Sequence, residues 1–114
     1  MKVSEAFNIA LHLASEDSGE MYRPFVISSM NQILADLRYL TEGETVFTVS
    51  QMEEDIPLPN ELCAEAVPYG LAVYLMLGDD EYSKSGFFDS RYAEAQNKYA
   101  LTRPATFMEV QDVY

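Results

Sequence analysis

The feature that most constrains this chain is the apolar stretch over residues 57–77, PLPNELCAEAVPYGLAVYLML, which has no charged residue from Ala66 onward. A helix that is apolar on every side is normally buried on every side. Pro68 and Gly70 disfavour a central strand, and the length of the stretch favours a helix. We therefore expect a core helix, capped at its start by Asn60, with the other elements packed around it.

The composition limits the kinds of partner that the chain can bind. We expect one domain from 114 residues, and the apolar fraction of 48% is sufficient for a core. The net charge of −12 argues against direct binding to nucleic acids or anionic membranes, because both require lysine and arginine. A chain with this charge could bind a partner that has a basic surface, could line a passage through which DNA moves without sticking, or could mimic DNA. Simple solubility is the plainest alternative.

Residues that could carry catalysis are scarce. His12 is the only histidine and Cys63 the only cysteine, so one chain cannot supply a metal site of these residues or a Cys–His dyad. The stretch Asp79-Asp80-Glu81 lacks the alternating ligands of a calcium loop and suits helix capping instead. We expect a protein that is not an enzyme and that holds no cofactor or metal. A single cysteine also indicates a reducing compartment.

Apolar spacing predicts further helices around the core helix. The four predicted helices cover roughly residues 3–15, 22–40, 57–77 and 80–101. The second helix has apolar residues in steps of four and three, at Val26, Met30, Ile33, Leu37 and Leu40. The packing stripe of the last helix consists of Tyr82, Phe88, Tyr92, Ala95 and Tyr99. Gly78 ends the core helix, and Asp79 and Asp80 can cap the last one. The predicted fold class is all-α, a four-helix bundle in a domain over residues 1–104.

The connection over residues 41–56 does not continue the helical pattern and is strongly acidic. The β-branched and aromatic residues at 45–49 favour a long loop in which a short β-strand is an option. The whole interval between Arg38 and Lys84 contains ten acidic residues and no basic one. The candidate acidic surface of this loop consists of Glu42, Glu44, Glu53, Glu54 and Asp55.

The C-terminal segment over residues 105–114 is expected to be an extended tail. Arg103 and Pro104 end the last helix, and the apolar side chains beyond them have no helical period. The tail can fold back on its own bundle, or it can add to a neighbouring subunit as a strand beside residues 45–49. The candidate interface consists of apolar residues in these two segments: Phe107, Met108, Val110, Val113, Tyr114, Val46, Phe47 and Val49.

Several motifs of this sequence are similar to those of a known protein family. These are the acidic entry at Ile56-Pro57, the run VPYGLA at residues 67–72 and the aliphatic stretch before Asp79-Asp80. The last helix adds Phe88 and the YAEA pattern at residues 92–95, and the second ends with NQILADLRYL. With these motifs the chain resembles the small head–tail connector proteins, also called adaptor or head-completion proteins, of tailed bacteriophages.

The resemblance implies a helical adaptor domain that oligomerises as a ring beneath the portal of the phage head. Such a ring extends the DNA channel and gives the tail a docking surface. The implied partners are the portal protein, the tail or stopper proteins and further copies of the chain, although the isolated chain can be a monomer. DNA passes without specific binding, and no membrane is involved. The implied location is the virion head–tail junction, after assembly in the host cytoplasm. The implied contact segments are residues 41–56 and 105–114.

Two rival functions come from other classes. An acidic inhibitor could mimic DNA and block a host nuclease or repressor. Such a mimic should spread its acids along one face at phosphate-like spacing, whereas the acids of this sequence cluster in loops and helix caps. The other rival is a small helical regulator that only dimerises. Mass in solution and the neighbouring genes would discriminate among these functions.

Overall fold

The computed structural model describes residues 1–16, 19–41 and 48–102. Within them the chain forms five α-helices: α1 (Val3–Leu13), α2 (Val26–Leu37), α3 (Asn60–Glu65), α4 (Val67–Gly78) and α5 (Tyr82–Leu101). Short 3-10 turns, Arg23–Phe25 and Arg38–Leu40, precede and follow α2. The described residues contain one isolated β-bridge, between Lys2 and Asp55, and no strand. The predicted all-α class is therefore confirmed for this part of the chain.

The expected single core helix is divided into α3 and α4, and proline chemistry explains the division. Pro68 has no N–H group, and in a continuous helix its ring would collide with the carbonyl group of Ala64. In the structure Pro68 instead lies in the first turn of α4, where no N–H group is needed. The expected cap at Asn60 is also wrong, because Pro59 is the residue before α3 and no side chain caps that end.

The α4 helix is the centre of the fold, as the sequence predicts, and it packs against all four other helices. Its side chains Val67, Leu71 and Met76 are buried. The expectation that it is buried on every side fails at its last turn. There Leu77 is 44% exposed and Gly78 is also exposed. The end of α4 thus emerges from the core as an apolar surface.

The flanking helices pack through regular apolar stripes. On α2 and the turn that follows it, the predicted stripe is fully buried: Val26, Met30, Ile33, Leu37 and Leu40. On α5, Phe88, Tyr92 and Ala95 are buried as predicted. Tyr82, which was assigned to the same stripe, is 65% exposed. Positions 82 and 88 are six residues apart and face different directions on a helix, which accounts for the error.

A close approach between α4 and α5 depends on Gly70. A Cβ atom added at Gly70 would lie 2.8 Å from Cε1 of Tyr92 and 3.2 Å from Cδ1 of Ile33. Both distances are shorter than ordinary van der Waals contact. The aromatic ring of Tyr92 therefore occupies the space that any larger residue at position 70 would need.

Residues 48–58 lie across the start of α1. The backbone N–H groups of Val3 and Ser4 donate to the carbonyl oxygens of Glu54 and Met52, at 3.0 and 2.8 Å. The N–H group of Ile56 donates to the carbonyl oxygen of Met1 at 2.9 Å. The first N–H groups of a helix lack partners inside the helix, so this segment satisfies two of them. The acidic connection is thereby fixed to the helical body over its described part.

In the turns after α1 and α4, the residues with left-handed backbone conformations are not glycines. Ser15 and Asp80 adopt left-handed backbone conformations, with φ of 58° and 57°. Asp79 and Asp80 do not cap α5, because the residue before that helix is Glu81 and no side-chain cap bond is present. Among the described helices, none combines the length and apolarity that crossing a membrane requires.

Candidate functional site

Three consecutive residues of the predicted acidic surface, Glu53, Glu54 and Asp55, lie beside the start of α1. Glu53 and Asp55 are exposed, and a carboxylate oxygen of Glu53 lies 3.5 Å from Nζ of Lys2. Asp55 forms the bridge to Lys2 through the backbone. The other two predicted acids, Glu42 and Glu44, lie outside the described residues. Part of the predicted acidic surface is therefore present, and Lys2 partly neutralises it.

Glu54 has a different role from its two neighbours. Its Oε1 atom accepts hydrogen bonds from the N–H and hydroxyl groups of Ser50, at 2.8 and 2.7 Å, and from the N–H group of Gln51 at 2.9 Å. The hydroxyl bond first, and then the backbone bonds, hold the pKa of Glu54 below its ordinary value. The carboxylate of Glu54 therefore stabilises the turn at residues 50–54 through hydrogen bonds, in addition to carrying negative charge.

Only one of the predicted interface residues lies in the described part of the chain. Val49 is 4% exposed and belongs to the core of its own chain. Its N–H group donates to Oδ1 of Asn31 at 2.8 Å, and its carbonyl oxygen accepts from Nδ2 of Asn31 at 2.9 Å. The backbone of Val49 thus has a hydrogen-bonding partner within its own chain, and its side chain is buried there. The remaining interface residues lie outside the described residues: Val46, Phe47, Phe107, Met108, Val110, Val113 and Tyr114.

A carboxylate on α2 holds tyrosines of α4 and α5. The hydroxyl groups of Tyr74 and Tyr92 both donate to Oδ2 of Asp36, the latter at 3.2 Å, while Nε2 of Gln32 donates to Oδ1 at 3.2 Å. Burial, together with the charge and hydrogen bonding of Asp36, raises the pKa of both tyrosines. Both phenols are therefore neutral donors at physiological pH. The hydrogen bond to Asp36 holds the side chain of Tyr74 at the surface of the bundle.

A second hydrogen-bond network, centred on Tyr22, joins the end of α1 to the turn between α4 and α5. The hydroxyl group of Tyr22 lies 2.9 Å from Oδ2 of Asp79 and 3.2 Å from Oε1 of Glu16. Nζ of Lys84 lies 3.8 Å from the same oxygen of Glu16 and donates to the carbonyl oxygen of Ala14 at 3.4 Å. Burial and the two carboxylates raise the pKa of Tyr22. This network links the end of α1, the start of α5 and the turn after α4.

Two grooves flank Tyr74 at the surface. The first, here called the α2 groove, has a volume of about 270 Å³ and runs between the approach to α2 and the end of α4. The second, the α5 groove, has a volume of about 430 Å³ and runs between the end of α4 and the start of α5. Tyr74 lines both grooves, so they adjoin each other. Large apolar or aromatic side chains are exposed along them: Met21, Phe25, Leu77 and Tyr82.

The opposite face of α5 is polar. There Nζ of Lys98 pairs with Glu65 at 3.0 Å, and Arg91 pairs with Glu94 at 3.6 Å. Phe87 is exposed on this helix as well, with the guanidinium group of Arg91 over its ring at 5.4 Å. The face of α5 along the groove is therefore apolar and acidic, whereas the opposite face carries charges of both signs.

The chemistry available in the described residues is limited. No group of three or more His, Cys, Asp or Glu side chains in that part of the chain could hold a metal ion. Burial raises the pKa of the Cys63 thiol, which lies 3.5 Å from the carbonyl oxygen of Leu58. Comparison of the chain with protein-family models, with curated proteins and with solved structures found no match. The candidate functional surfaces in the described residues are the acidic segment beside α1 and the pair of grooves around Tyr74.

Sequence reasoning missed the grooves and both tyrosine networks. The signal for the grooves was the run of large apolar residues at the end of α4, but periodicity does not tell an exposed residue from a buried one. The networks join residues far apart in the chain, such as Asp36 and Tyr92. No local pattern marks such a contact.

Proposed function

We propose that this chain is a structural virion protein of a tailed phage, located at the head–tail junction. In this proposal its helices form the adaptor bundle, with α3 and α4 together in the place of the third of four helices. Copies of the chain form a ring beneath the portal, extend the DNA channel and provide a docking surface for the tail. The protein is not an enzyme, and it assembles in the host cytoplasm before incorporation into the virion.

The observation that carries the proposal is the acidic segment over residues 50–55. Its backbone hydrogen bonds to α1 and the internal bonds of Glu54 hold it on the helical body. Glu53 and Asp55 are left exposed. A wall of a DNA channel should carry fixed negative charge, because attraction to phosphates would hold the DNA back. The motifs that resemble connector proteins begin in this segment, at Ile56-Pro57, and continue through α5.

The DNA-mimic alternative receives less support from the same residues. Glu54 uses one carboxylate oxygen to close its own turn, Glu53 faces Lys2, and Glu65 pairs with Lys98. A mimic of the phosphate backbone requires carboxylates that remain free for a basic partner. Three acids of the interval are thus partly engaged within the chain.

Co-expression with the portal protein encoded in the same genome tests the proposal. We expect a complex that survives size-exclusion chromatography and appears as a ring on the portal in electron micrographs. Mass spectrometry of purified virions should also detect the chain. Absence of the chain from virions, together with no association with the portal, would reject the proposal. Tight binding to a host nuclease or repressor would instead favour the DNA-mimic alternative.

Charge reversal tests the role of the acidic segment separately. The unmodified protein should not shift duplex DNA in a gel at low salt. The double variant Glu53→Lys, Asp55→Lys should fold normally, because both side chains are exposed, and should retain DNA in a salt-sensitive way. Glu54 must be left unchanged because of its structural bonds. A gel shift by the unmodified protein would contradict the proposed channel role.

A further inference from the structure

The two grooves around Tyr74 share features that a docking surface requires. Phe25 is 59% exposed and lines the α2 groove, while Leu77 and Tyr82 line the α5 groove. Gly78 and Gly86 border the same grooves, and a Cβ atom added at either one would meet nothing within 4 Å. These two glycines leave room for a partner to approach the backbone. Apolar side chains around such concave spaces are typical of helix-in-groove recognition.

Hydrogen bonds anchor Tyr74, the residue that lines both grooves. Tyr74 is anchored through its hydroxyl group to Asp36, which also binds Tyr92. On the other side of the α2 groove, Tyr22 is tied to Asp79. A preformed surface binds with a smaller loss of conformational freedom than one that must order on binding. The arrangement is therefore suited to recognition of a partner that is itself regular, such as a helix.

The charged residues that line the grooves are all acidic, although the basic Lys84 lies nearby, beside Glu16. Asp79 lines the α2 groove, Asp89 lines the α5 groove, and the exposed Asp80 lies in the turn between α4 and α5. Among the described residues that line the two grooves, none is basic. A second copy of a chain with a net charge of −12 would bring further acids toward this rim. Charge complementarity thus favours a basic partner and disfavours self-association.

From these observations we propose that the α2 and α5 grooves together form a docking surface for a basic amphipathic helix of a different protein. Apolar side chains of that helix enter the grooves on either side of Tyr74 and pack on Phe25, Leu77 and Tyr82. Its lysine or arginine side chains meet Asp79, Asp80 and Asp89. This assignment does not depend on the proposed virion function and can be tested without it.

Titration of the full chain with a synthetic helix tests the assignment. The probe is a peptide of about 18 residues, five helical turns, with leucine on one face and lysine on the other. The matched peptide has glutamate in place of lysine. We expect the lysine peptide to bind at least about tenfold more tightly at low salt, because only it complements the acidic rim. Amide chemical-shift changes should concentrate around residues 21–29 and 74–89.

Matched variants separate this surface from nonspecific attraction. Phe25→Ser and Leu77→Ser should each weaken binding by about tenfold, whereas Phe87→Ser, at a residue of similar exposure (55%) outside the grooves, should change it by less than about twofold. Asp89→Asn should weaken binding more than Glu94→Gln on the opposite face of α5. Thermal melting of each variant checks that it is folded.

Three results would overturn the assignment. Equal effects of Phe25→Ser and Phe87→Ser would show that the attraction is nonspecific. Self-association of the full chain that Leu77→Ser abolishes would assign the grooves to a second copy. Nuclear Overhauser contacts between Leu77 and residues 105–114 in the free protein would assign them to the chain's own C-terminal segment.

Discussion

Gly70 provides the most decisive test of the packing. In the middle of a helix, alanine is more favourable than glycine by about 1 kcal/mol, so helix propensity alone predicts that Gly70→Ala stabilises the protein. The structure predicts the opposite. The added methyl group would lie 2.8 Å from a ring atom of Tyr92, and that ring is buried and hydrogen-bonded to Asp36. The ring therefore has little freedom to move away.

The expected magnitude follows from two opposing contributions. Overpacking a well-packed core costs about 1–3 kcal/mol, and a ring constrained by both packing and a hydrogen bond belongs at the upper end. After the gain in helix propensity, the net loss in free energy of unfolding is about 1–2 kcal/mol. In a domain of this size, each kcal/mol corresponds to about 4–8 °C in Tm. Urea unfolding and thermal melting should both detect the loss.

Gly86→Ala is the matched control. Gly86 lies inside α5 with nothing within 4 Å of an added Cβ atom, so this substitution should raise the free energy of unfolding by about 0.5–1 kcal/mol. In a double-mutant cycle, Tyr92→Leu should reduce the cost of Gly70→Ala, because it removes the ring that the methyl group meets. Stabilisation by both glycine substitutions would refute the proposed contact between α4 and α5.

Three further predictions concern hydrogen bonds and pH. Asn31→Ala should lower the free energy of unfolding by about 1–3 kcal/mol in urea titrations, because it leaves two partly buried backbone groups of Val49 without their side-chain partner. Glu54 has a folded-state pKa below its ordinary value of 4.5, so its stabilising contribution is complete above that pH and is lost as the pH falls through the folded-state pKa. Melting temperatures measured across this range should show the loss in the unmodified protein and not in Glu54→Gln. Tyr74 and Tyr92 have folded-state pKa values raised above 10.0, so stability should decline as the pH rises past 10.0, where the unfolded chain ionises first. Tyrosinate absorbance of these two residues should appear together with unfolding, and the double variant Tyr74→Phe, Tyr92→Phe should show a weaker alkaline decline.

The sequence predicted the helical interior well because burial there follows helical spacing. The apolar steps from Val26 to Leu40, on α2 and the turn after it, are all buried, and the charge-free α4 is central. The same reasoning wrongly predicted one undivided core helix, because it treated Pro68 as an interior residue. A proline in a predicted helix is more compatible with the first turn of a new helix than with the middle of an old one.

The candidate surfaces were harder to predict because they depend on tertiary contacts. Leu77 and Tyr82 looked like core residues, yet the core ends before it reaches them. Glu54 looked like one more surface acid, yet Ser50 binds it within the folded turn. The residue types showed that the first two side chains are apolar or aromatic and that the third is acidic. Only the folded structure shows that the first two are exposed and that the third is hydrogen-bonded.

The two candidate surfaces lie near opposite ends of α1, and this separation bears on how the chain could join other proteins. The acidic segment is bound to the first residues of α1, through Val3 and Ser4. The other end of α1 reaches the groove region through Ala14 and Glu16, which contact Lys84 and Tyr22. Eleven helical residues place these ends about 16 Å apart, so two partners could bind without direct competition. A connector of the proposed kind needs such separate surfaces, and we therefore expect binding of the lysine peptide at the grooves to leave the proposed binding to a portal protein unchanged. Competition between the two in a pull-down would show that they share one surface.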